Sequence, residues 1–347
     1  RRSSHSRCAA AGAAVLRCAG QRHDKVRRLR QHPSMRAMTG LSMPGPEKFV
    51  WPVFVIDGQS QEVPITAMPG QCRYSVDKLI PAVETVMKQG INSILLFGVP
   101  EEGKSENGSA CYASDGLVQL AIRELRREFP DLLIMTDVCV CAYTTHGHCG
   151  TLTKDGSVVD NDQTLETLAM MAVSHARAGA DIVAPSAMMD GQVQAIRQAL
   201  DQAAHTETLL MSYSTKFASA MYGPFREAAH SAPGKGDRKG YQAPYSDPRQ
   251  ALRESLLDVE EGADILMVKP SLLYLDLIQT IHQQCPLPIA AYNVSGEYSM
   301  LVASAERGWG DLDAMVREAT MALVRSGTDI LISYWANQYD RIFKAYR

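Results

Sequence analysis

The feature that most constrains the fold is a regular alternation of short apolar runs with longer amphipathic segments. Eight runs rich in β-branched or aliphatic residues recur through the body of the chain, at 52–57, 93–99, 132–138, 181–186, 208–215, 264–270, 288–294 and 329–335. Most are continuous rather than alternating, which is typical of strands buried on both faces of a parallel sheet. Helix-like segments lie between them, and several end in glycine. The alternation predicts a (β/α)8 TIM barrel.

An open, doubly wound sheet would show the same alternation, and the polar groups that follow the strands distinguish the two folds. Barrel enzymes carry their chemistry at the carboxyl ends of the strands. Six of the predicted strand ends carry polar groups: Asp137 with the cysteines beyond it, Ser186, Lys216, Lys269, Ser295 and Tyr334. Because an open sheet would not need them at six ends, the barrel is favoured.

Composition and charge limit the classes of protein to which this chain can belong. A chain of 347 residues with 46% hydrophobic content can bury a large core, and no run of about eighteen uncharged apolar residues indicates a membrane span. Residues 1–36 carry ten Lys and Arg against one acidic residue, Asp24, but contain no aromatic residue, which argues against nucleic-acid binding. Eight cysteines in a chain of this length do not indicate a disulfide scaffold, so a reducing, cytoplasmic location is expected.

Residues 1–24 form a basic extension that we expect to be disordered. They are rich in Arg, Ala and Ser, as a transit peptide would be. An upstream extension, a cloning remnant or a misassigned start explains them equally well.

Three cysteines and two histidines lie within residues 139–149, CVCAYTTHGHC. A catalytic zinc keeps three protein ligands and leaves a position for water or substrate, whereas a closed structural zinc needs four. Cys139, Cys141 and Cys149 suit the open kind. The alternative is a tetrahedral clasp completed by His146 or His148.

Two lysines end neighbouring predicted strands. A lysine at a strand end is ordinarily a solvated cation, and that is the alternative for Lys216 and for Lys269. Adjacent strands lie about 5 Å apart, however, so the two side chains would share one pocket, where two like charges favour the neutral amine. A neutral lysine amine is what imine formation with a ketone requires.

The segment 217–248 is too long and too rich in Gly, Pro and charge for an ordinary connection. Long loops in compact domains are usually lids or disordered. Its Arg226, Lys235, Arg238 and Lys239 make it cationic, which predicts a lid that closes over an anionic substrate. The alternative is a solvated, charged loop.

Several long motifs occur together in one order: DVCVCAYTTHGHCG (137–150), APSAMMDG (184–191), MSYSTKFASAMYGPFREAA (211–229), KGDRKGYQ (235–242), GADILMVKPSLLYLD (262–276) and YNVSGEY (292–298). They closely resemble the porphobilinogen synthase family, also called 5-aminolevulinic acid dehydratase. The resemblance runs from about Arg27 to the C-terminus.

The resemblance implies a hydro-lyase that condenses two molecules of 5-aminolevulinate asymmetrically to porphobilinogen, the pyrrole precursor of haem, with loss of two waters. By matching motifs, Lys269 would form a Schiff base with the first substrate and Lys216 with the second. Each imine makes the ketone carbon electrophilic and its neighbour acidic. Asp137 and Ser186 match polar groups near Lys216 that relay protons.

The resemblance also implies how the two substrate carboxylates are held. Ser295 and Tyr334 match the groups that bind the carboxylate of the first substrate. Those that hold the second substrate match Arg226, Arg238 and Gln242 on the predicted lid.

Metal and assembly follow from the same resemblance. Cys139, Cys141 and Cys149 match the zinc-dependent branch of the family, in which the metal lies beside the second substrate, and Glu254 matches the carboxylate of an allosteric magnesium (Mg2+) site. Residues 25–46 contain the match to the arm that wraps a neighbouring subunit in the family's octamers, which leaves 47–347 as the catalytic barrel. The implied protein is a cytoplasmic homo-octamer with catalytic Zn2+ that binds neither nucleic acid nor a membrane.

Two other functions fit part of the pattern. A class I aldolase-type barrel would share the Schiff-base lysine but would not explain the three-cysteine loop or the second lysine. A non-catalytic, zinc-binding scaffold that oligomerises would need neither lysine.

Overall fold

A computed structural model describes residues 26–231, 233–234 and 236–344. The predicted basic extension at 1–24 and Lys235 of the predicted lid lie outside these residues. The chain divides into two units, Arg1–Ser42 and Met43–Arg347. In its described part the first unit contains two short helices, Arg28–Gln31 and Pro33–Thr39, neither of which has a buried residue. The boundaries 24/25 and 46/47 stay predictions.

The second unit is built around eight parallel strands. They are β1 (Phe49–Ile56), β4 (Ser93–Val99), β5 (Leu133–Val138), β6 (Ile182–Pro185), β7 (Leu209–Lys216), β8 (Ile265–Lys269), β9 (Ile289–Asn293) and β10 (Ile330–Ser333). Each pairs with the next in chain order, and β10 pairs with β1 to close the ring. The predicted (β/α)8 barrel is confirmed, and every one of the eight apolar runs contains most of a barrel strand.

The strands follow from the apolar runs because the barrel buries both of their faces. β1, β6, β8 and β9 are buried along their whole length. One set of side chains points into the barrel and the other packs against the surrounding helices, so a polar residue inside a strand is tolerated only where it finds a hydrogen-bond partner. The polar residues therefore collect at the carboxyl ends.

Helices connect the strands. Those of seven or more residues in the second unit are Val76–Met87, Leu117–Glu128, Asn161–Ala178, Gln192–Gln202, Pro248–Glu260, Leu275–Gln284, Ser295–Glu306 and Leu312–Arg325. Asp160, Asp247 and Asp311 cap three of them through side-chain hydrogen bonds to backbone N–H groups. Gly179 ends the helix Asn161–Ala178 with φ of 111°, a left-handed conformation that favours glycine. No helix in the described part of the chain is long and apolar enough to cross a membrane.

A short hairpin that the apolar pattern does not predict extends the sheet beside β1. β3 (Cys72–Ser75) pairs parallel with β1, and β2 (Glu62–Pro64) pairs antiparallel with β3. Arg73 on β3 donates from Nε to the carbonyl oxygen of Ala228 at 2.8 Å. The hairpin therefore holds the end of a short helix, Gly223–Ala228, which lies inside the predicted lid.

Candidate active site

Two lysines lie side by side at the carboxyl end of the barrel. Lys216 ends β7 and Lys269 ends β8, and their Cα atoms are partners across the two strands. Their side chains are 6% and 3% exposed. Lys216 Nζ donates to the carbonyl oxygen of Ser186 at 2.5 Å. The ring of Tyr213 lies below both amines, with its centroid 5.4 Å from Lys216 Nζ and 5.0 Å from Lys269 Nζ.

Aromatic rings enclose the amine of Lys269. Its Nζ lies 4.0 Å from the ring centroid of Tyr292, 4.8 Å from that of Phe225, and 5.7 Å from those of Phe97 and Tyr222. Burial lowers the pKa of Lys269 to about 7, and the charge of Lys216 acts in the same direction. Near neutral pH a large share of this amine is therefore unprotonated and nucleophilic.

Asp137 supplies a carboxyl group next to the lysines. It is the second-last residue of β5. Burial raises its pKa above the ordinary value, while the positive charges of Lys216 and Lys269 oppose that rise. A carboxyl group whose acidity is weakened in this way is suited to hold and release a proton close to the amines.

The three predicted metal ligands converge. Cys139, Cys141 and Cys149 are buried, and their sulfur atoms all lie within 4.8 Å of one another. Hydrogen bonds from Cys139 and then Cys141 hold the pKa of the Cys149 thiol well below its usual range. The same hydrogen bonds raise the pKa of Cys139, and the pKa of Cys141 is raised as well, so the thiolate of the group is on Cys149. Three mutually close sulfur donors fit a soft cation such as Zn2+.

The two histidines of the cysteine loop point to other partners. His146 Nε2 lies 3.0 Å from the carbonyl oxygen of Glu106, and His148 Nδ1 lies 3.2 Å from the hydroxyl of Tyr241. Among the described residues, the group that could hold a metal contains the three cysteines and neither histidine. This arrangement favours the open, three-ligand site over the closed clasp.

Three residues of the predicted lid carry buried polar atoms that lack a hydrogen-bond partner. Within the part of the chain that the structure describes, Nε of Arg226, Nε of Arg238 and both amide atoms of Gln242 are buried without a hydrogen-bond partner. The guanidinium group of Arg238 is held in place, since it donates to the carbonyl oxygens of Gly147 at 2.9 Å and Ser231 at 2.5 Å. Buried donors of this kind normally have partners, so the arrangement fits a ligand carboxylate.

Ser295 and Tyr334 lie behind the aromatic residues that surround the amine of Lys269. The Ser295 hydroxyl accepts a hydrogen bond from the backbone N–H of Phe225 at 2.9 Å. The Tyr334 hydroxyl lies 3.1 Å from that of Tyr292. Each therefore contacts a residue whose ring surrounds the amine of Lys269.

A small cavity joins these groups. Its volume is about 20 Å³, roughly the space that one water needs. Its lining is shared by the barrel and the lid: Phe97, Asp137, Cys141, Ser186, Lys216, Tyr222, Phe225, Arg226, Arg238 and Lys269. The structure thus brings together both lysines, the aspartate, one cysteine and two arginines.

Glu254 lies elsewhere. It is on the helix Pro248–Glu260 and lines an open groove of about 1190 Å³ together with Asp190 and Gln250. Burial raises the pKa of Glu254, and the charge of Asp190 adds to the effect. Gln242 lines this groove as well, so the groove borders the lid.

Comparison with known proteins identifies the family. A family model described as delta-aminolevulinic acid dehydratase matches residues 23–342. The chain belongs to this family. It is therefore an enzyme of the hydro-lyase class, and the resemblance stated from the motifs is confirmed.

Named members of the dehydratase family match along nearly their whole length. A delta-aminolevulinic acid dehydratase from Archaeoglobus fulgidus is 47% identical over 90% of this chain and 96% of its own. One from Escherichia coli K12 is 48% identical over 90% of this chain and 95% of its own length. The crystal structure of the Toxoplasma gondii enzyme in complex with the reaction product porphobilinogen is 40% identical, with a TM-score of 0.90 over 93% of this chain and 92% of that one.

The aromatic residues around the amines in this dehydratase were not predicted from the sequence. Tyr213 is the clearest case, because it precedes Lys216 by three positions, and residues three apart in a regular strand point to opposite faces. Phe225 and Tyr292 are hard to recognise for another reason, since apolar rings in a lid or strand resemble ordinary core residues.

Proposed function

We propose that this chain is a porphobilinogen synthase that joins two molecules of 5-aminolevulinate through Schiff bases on Lys216 and Lys269, beside a metal held by Cys139, Cys141 and Cys149. The overall reaction forms one pyrrole and releases two waters. It belongs to tetrapyrrole synthesis, the pathway to haem.

The observation that carries the proposal is the pair of buried lysines on adjacent strands. In a barrel that needed a single Schiff base, as an aldolase does, a second buried amine would serve only to lower the pKa of the first, at the cost of its own burial. Two ketone substrates that must each be activated account for both.

The surrounding residues divide the remaining tasks. The rings around Lys269 exclude water, which keeps its amine neutral and protects an imine from hydrolysis. Asp137, next to both amines, can take the proton released when an imine forms and return it later. The Ser186 carbonyl oxygen orients the amine of Lys216.

The lid residues account for substrate charge. Arg226 and Arg238 line the cavity, and each has a buried, unpaired Nε in the described part of the chain. A substrate carboxylate would pair with them, and the amide of Gln242 would add a hydrogen bond. We assign the carboxylate of the first substrate to Ser295 and Tyr334, which requires the Ser295 hydroxyl to turn its proton away from the carbonyl oxygen of Met221, to which it donates at 3.4 Å.

The donor set of the three cysteines fits Zn2+. When bound there, zinc would supply a Lewis acid for a substrate amine or carbonyl oxygen, or a hydroxide to act as base. Cys141 lines the cavity with both lysines, so a metal on these sulfurs would border the reacting groups. A softer ion such as Pb2+ should compete for the same thiolates.

The size of the cavity implies that the lid opens for each turnover. About 20 Å³ cannot admit two molecules of substrate. The helix Gly223–Ala228 must therefore move away from the barrel end, carrying Phe225 and Arg226 with it.

Assembly and regulation extend the proposal. By family resemblance we assign residues 25–46 to an arm that joins subunits in a homo-octamer, and Glu254 to an allosteric Mg2+ site. Asp190 lies near enough to Glu254 to raise its pKa, and a pair of carboxyl groups suits a hard cation. Three reduced thiols suit a reducing compartment such as the cytoplasm.

The test is an assay of pyrrole formation from 5-aminolevulinate with the purified protein, after chelation and again after Zn2+ is restored. We expect activity that is lost and then recovered. Lys269→Ala should be inactive but folded, whereas Lys88→Ala, at a lysine whose side chain is 69% exposed, should be fully active. Borohydride reduction and peptide mapping should find substrate on Lys269 and Lys216. Absence of pyrrole in every state, or full activity of Lys269→Ala, would refute the proposal.

A further inference from the structure

Between two sets of paired residues, strand β7 contains one more residue than strand β8. Met211 and Ser212 pair with Ile265 and Leu266 of β8, but Thr215 and Lys216 pair with Val268 and Lys269. The paired residues Ser212 and Thr215 are three positions apart in β7, whereas their partners Leu266 and Val268 are two positions apart in β8. This is a β-bulge, and it lies immediately before Lys216. Bulges change the direction in which the following side chain points, and they occur often beside active sites.

The bulge explains how two residues that should face apart come to share one cavity. Tyr213 and Lys216 are three positions apart, so a regular strand would place them on opposite faces. With the extra residue between them, both point into the barrel, where the ring of Tyr213 lies within 5.4 Å of Lys216 Nζ and 5.0 Å of Lys269 Nζ. At the same time Lys216 stays in register with Lys269.

Hydroxyl groups hold the bulge against the helix Pro248–Glu260. Thr215 Oγ1 donates to the carbonyl oxygen of Ala251 at 3.1 Å and lies 2.8 Å from Ser255 Oγ. Ser255 Oγ in turn lies 3.3 Å from Ser214 Oγ. Ser214 and Thr215 are consecutive, yet both turn to the same helix, which is the local signature of the extra residue. All three hydroxyls are buried.

Burial makes this arrangement specific. A buried hydroxyl without a partner is destabilising by about 1–3 kcal/mol, so a strand without the bulge, which would turn Ser214 or Thr215 away from these partners, is disfavoured. Ser255 is the group that both strand hydroxyls reach.

We propose that Thr215 and Ser255 are positioning residues whose hydroxyl pair sets the direction of the Lys216 amine. Neither of them lines the cavity, and they act through the strand that carries Lys216. The inference rests on the proposed function, since it assigns Lys216 a reaction to be positioned for.

The test compares two substitutions at one position. Thr215→Val keeps the shape but removes the hydroxyl, and Thr215→Ser keeps the hydroxyl but removes a methyl group. We expect Thr215→Val to lower kcat about 10- to 100-fold, the effect of a shift of about 1 Å in a reacting group, and Thr215→Ser to stay within about threefold of wild type. Borohydride trapping should lose the adduct on Lys216 in Thr215→Val and retain the adduct on Lys269, whereas a general loss of folding would remove both.

Two further variants make the test decisive. Ser255→Ala should reproduce the loss of kcat and of the Lys216 adduct, and it decides the question if Thr215→Val does not fold. Ser174→Ala removes a hydroxyl that accepts from Gln119 at 2.8 Å on a distant pair of helices, and it should keep both adducts and full kcat. Wild-type kcat in Thr215→Val, or equal impairment of the Val and Ser variants, overturns the inference. A wild-type protein that forms no pyrrole would instead refute the proposed function.

Discussion

Gly296 is the position at which one added methyl group should disturb the closed lid. It follows Ser295 in the first turn of the helix Ser295–Glu306. A Cβ atom there would lie 2.5 Å from the carbonyl oxygen of Met221, 2.8 Å from its Cα and 2.9 Å from its carbonyl carbon. Real Cβ contacts are essentially never shorter than 3.0 Å. Because all three atoms belong to the lid backbone, no side-chain rotation relieves the overlap.

The size of the displacement sets the expected effect. Moving the Met221 oxygen from 2.5 Å to the ordinary contact distance of 3.4 Å requires a shift of roughly 1 Å. The shifted segment leads directly into Tyr222 and Phe225, whose rings enclose the amine of Lys269. Misplacement by about 1 Å can reduce a rate about 100-fold, so we expect Gly296→Ala to lower kcat/KM by about 10- to 100-fold. Alanine favours helix more than glycine does, so the helix itself should persist.

The assay is steady-state pyrrole formation together with limited proteolysis of residues 217–248. Gly296→Ala should be cleaved faster in this segment than wild type, while the thermal unfolding of the barrel changes little. Gly223→Ala is the matched control, because a Cβ at this lid position meets nothing within 4 Å, and it should behave as wild type. A Gly296→Ala enzyme with wild-type kcat/KM and protease resistance would show that the lid does not rest on this helix as described.

Three further predictions concern ionisation and stability. The rate of imine formation on Lys269 should rise with pH up to about 7, roughly tenfold per pH unit below that value, because burial lowers the pKa of this amine to about 7. Borohydride trapping between pH 5 and 9 measures the rate, and a midpoint above pH 9 would contradict the prediction. Burial raises the pKa of Asp258 to about 7, so the folded state keeps a proton that the unfolded state releases near pH 4, and stability from this group is lost as pH rises from about 4 to 7. The free energy of unfolding of Asp258→Asn, measured in urea, should therefore rise by about 2–3 kcal/mol relative to that of wild type between pH 5 and pH 8. An equal difference at both pH values would disprove this. Arg126 donates to three carbonyl oxygens and to the Asp181 carboxylate, so Arg126→Lys should lower the free energy of unfolding by about 2–3 kcal/mol with unchanged kcat per folded molecule; a fall in kcat would place Arg126 in the catalytic apparatus instead.

The barrel could be predicted from the sequence because its strands are buried on both faces. Continuous apolar runs such as 93–99 coincide with strand β4, Ser93–Val99, and chemical groups follow the runs because strand ends are where a barrel is open. The hairpin of β2 and β3 escaped prediction for the opposite reason. Its strands are three and four residues long and partly exposed, so they leave no periodic signal.

The candidate site was predictable in its chemistry and not in its geometry. The types and spacing of Lys216, Lys269 and the three cysteines suffice to indicate imine chemistry and a thiolate metal site. The bulge in β7 does not follow from residue types, because it depends on register between two strands, and so the position of Tyr213 could not be inferred. The contact of Ser295 with the Phe225 backbone likewise belongs to the closed lid and has no counterpart in the local sequence.

The pairing of β1 with β10 has a consequence for how the protein is made. These are the first and last strands of the barrel, and they meet through Phe49 with Leu331 and Val50 with Ile332. A growing chain leaves the ribosome from its N-terminus, so the ring stays an open sheet with an unpaired edge until residues near 332 have emerged. During that time the lysines of β7 and β8 and the thiols after β5 are present without their enclosure. The unpaired edge is a site at which chains can associate, so protection from aggregation is needed until the last barrel strand has been made.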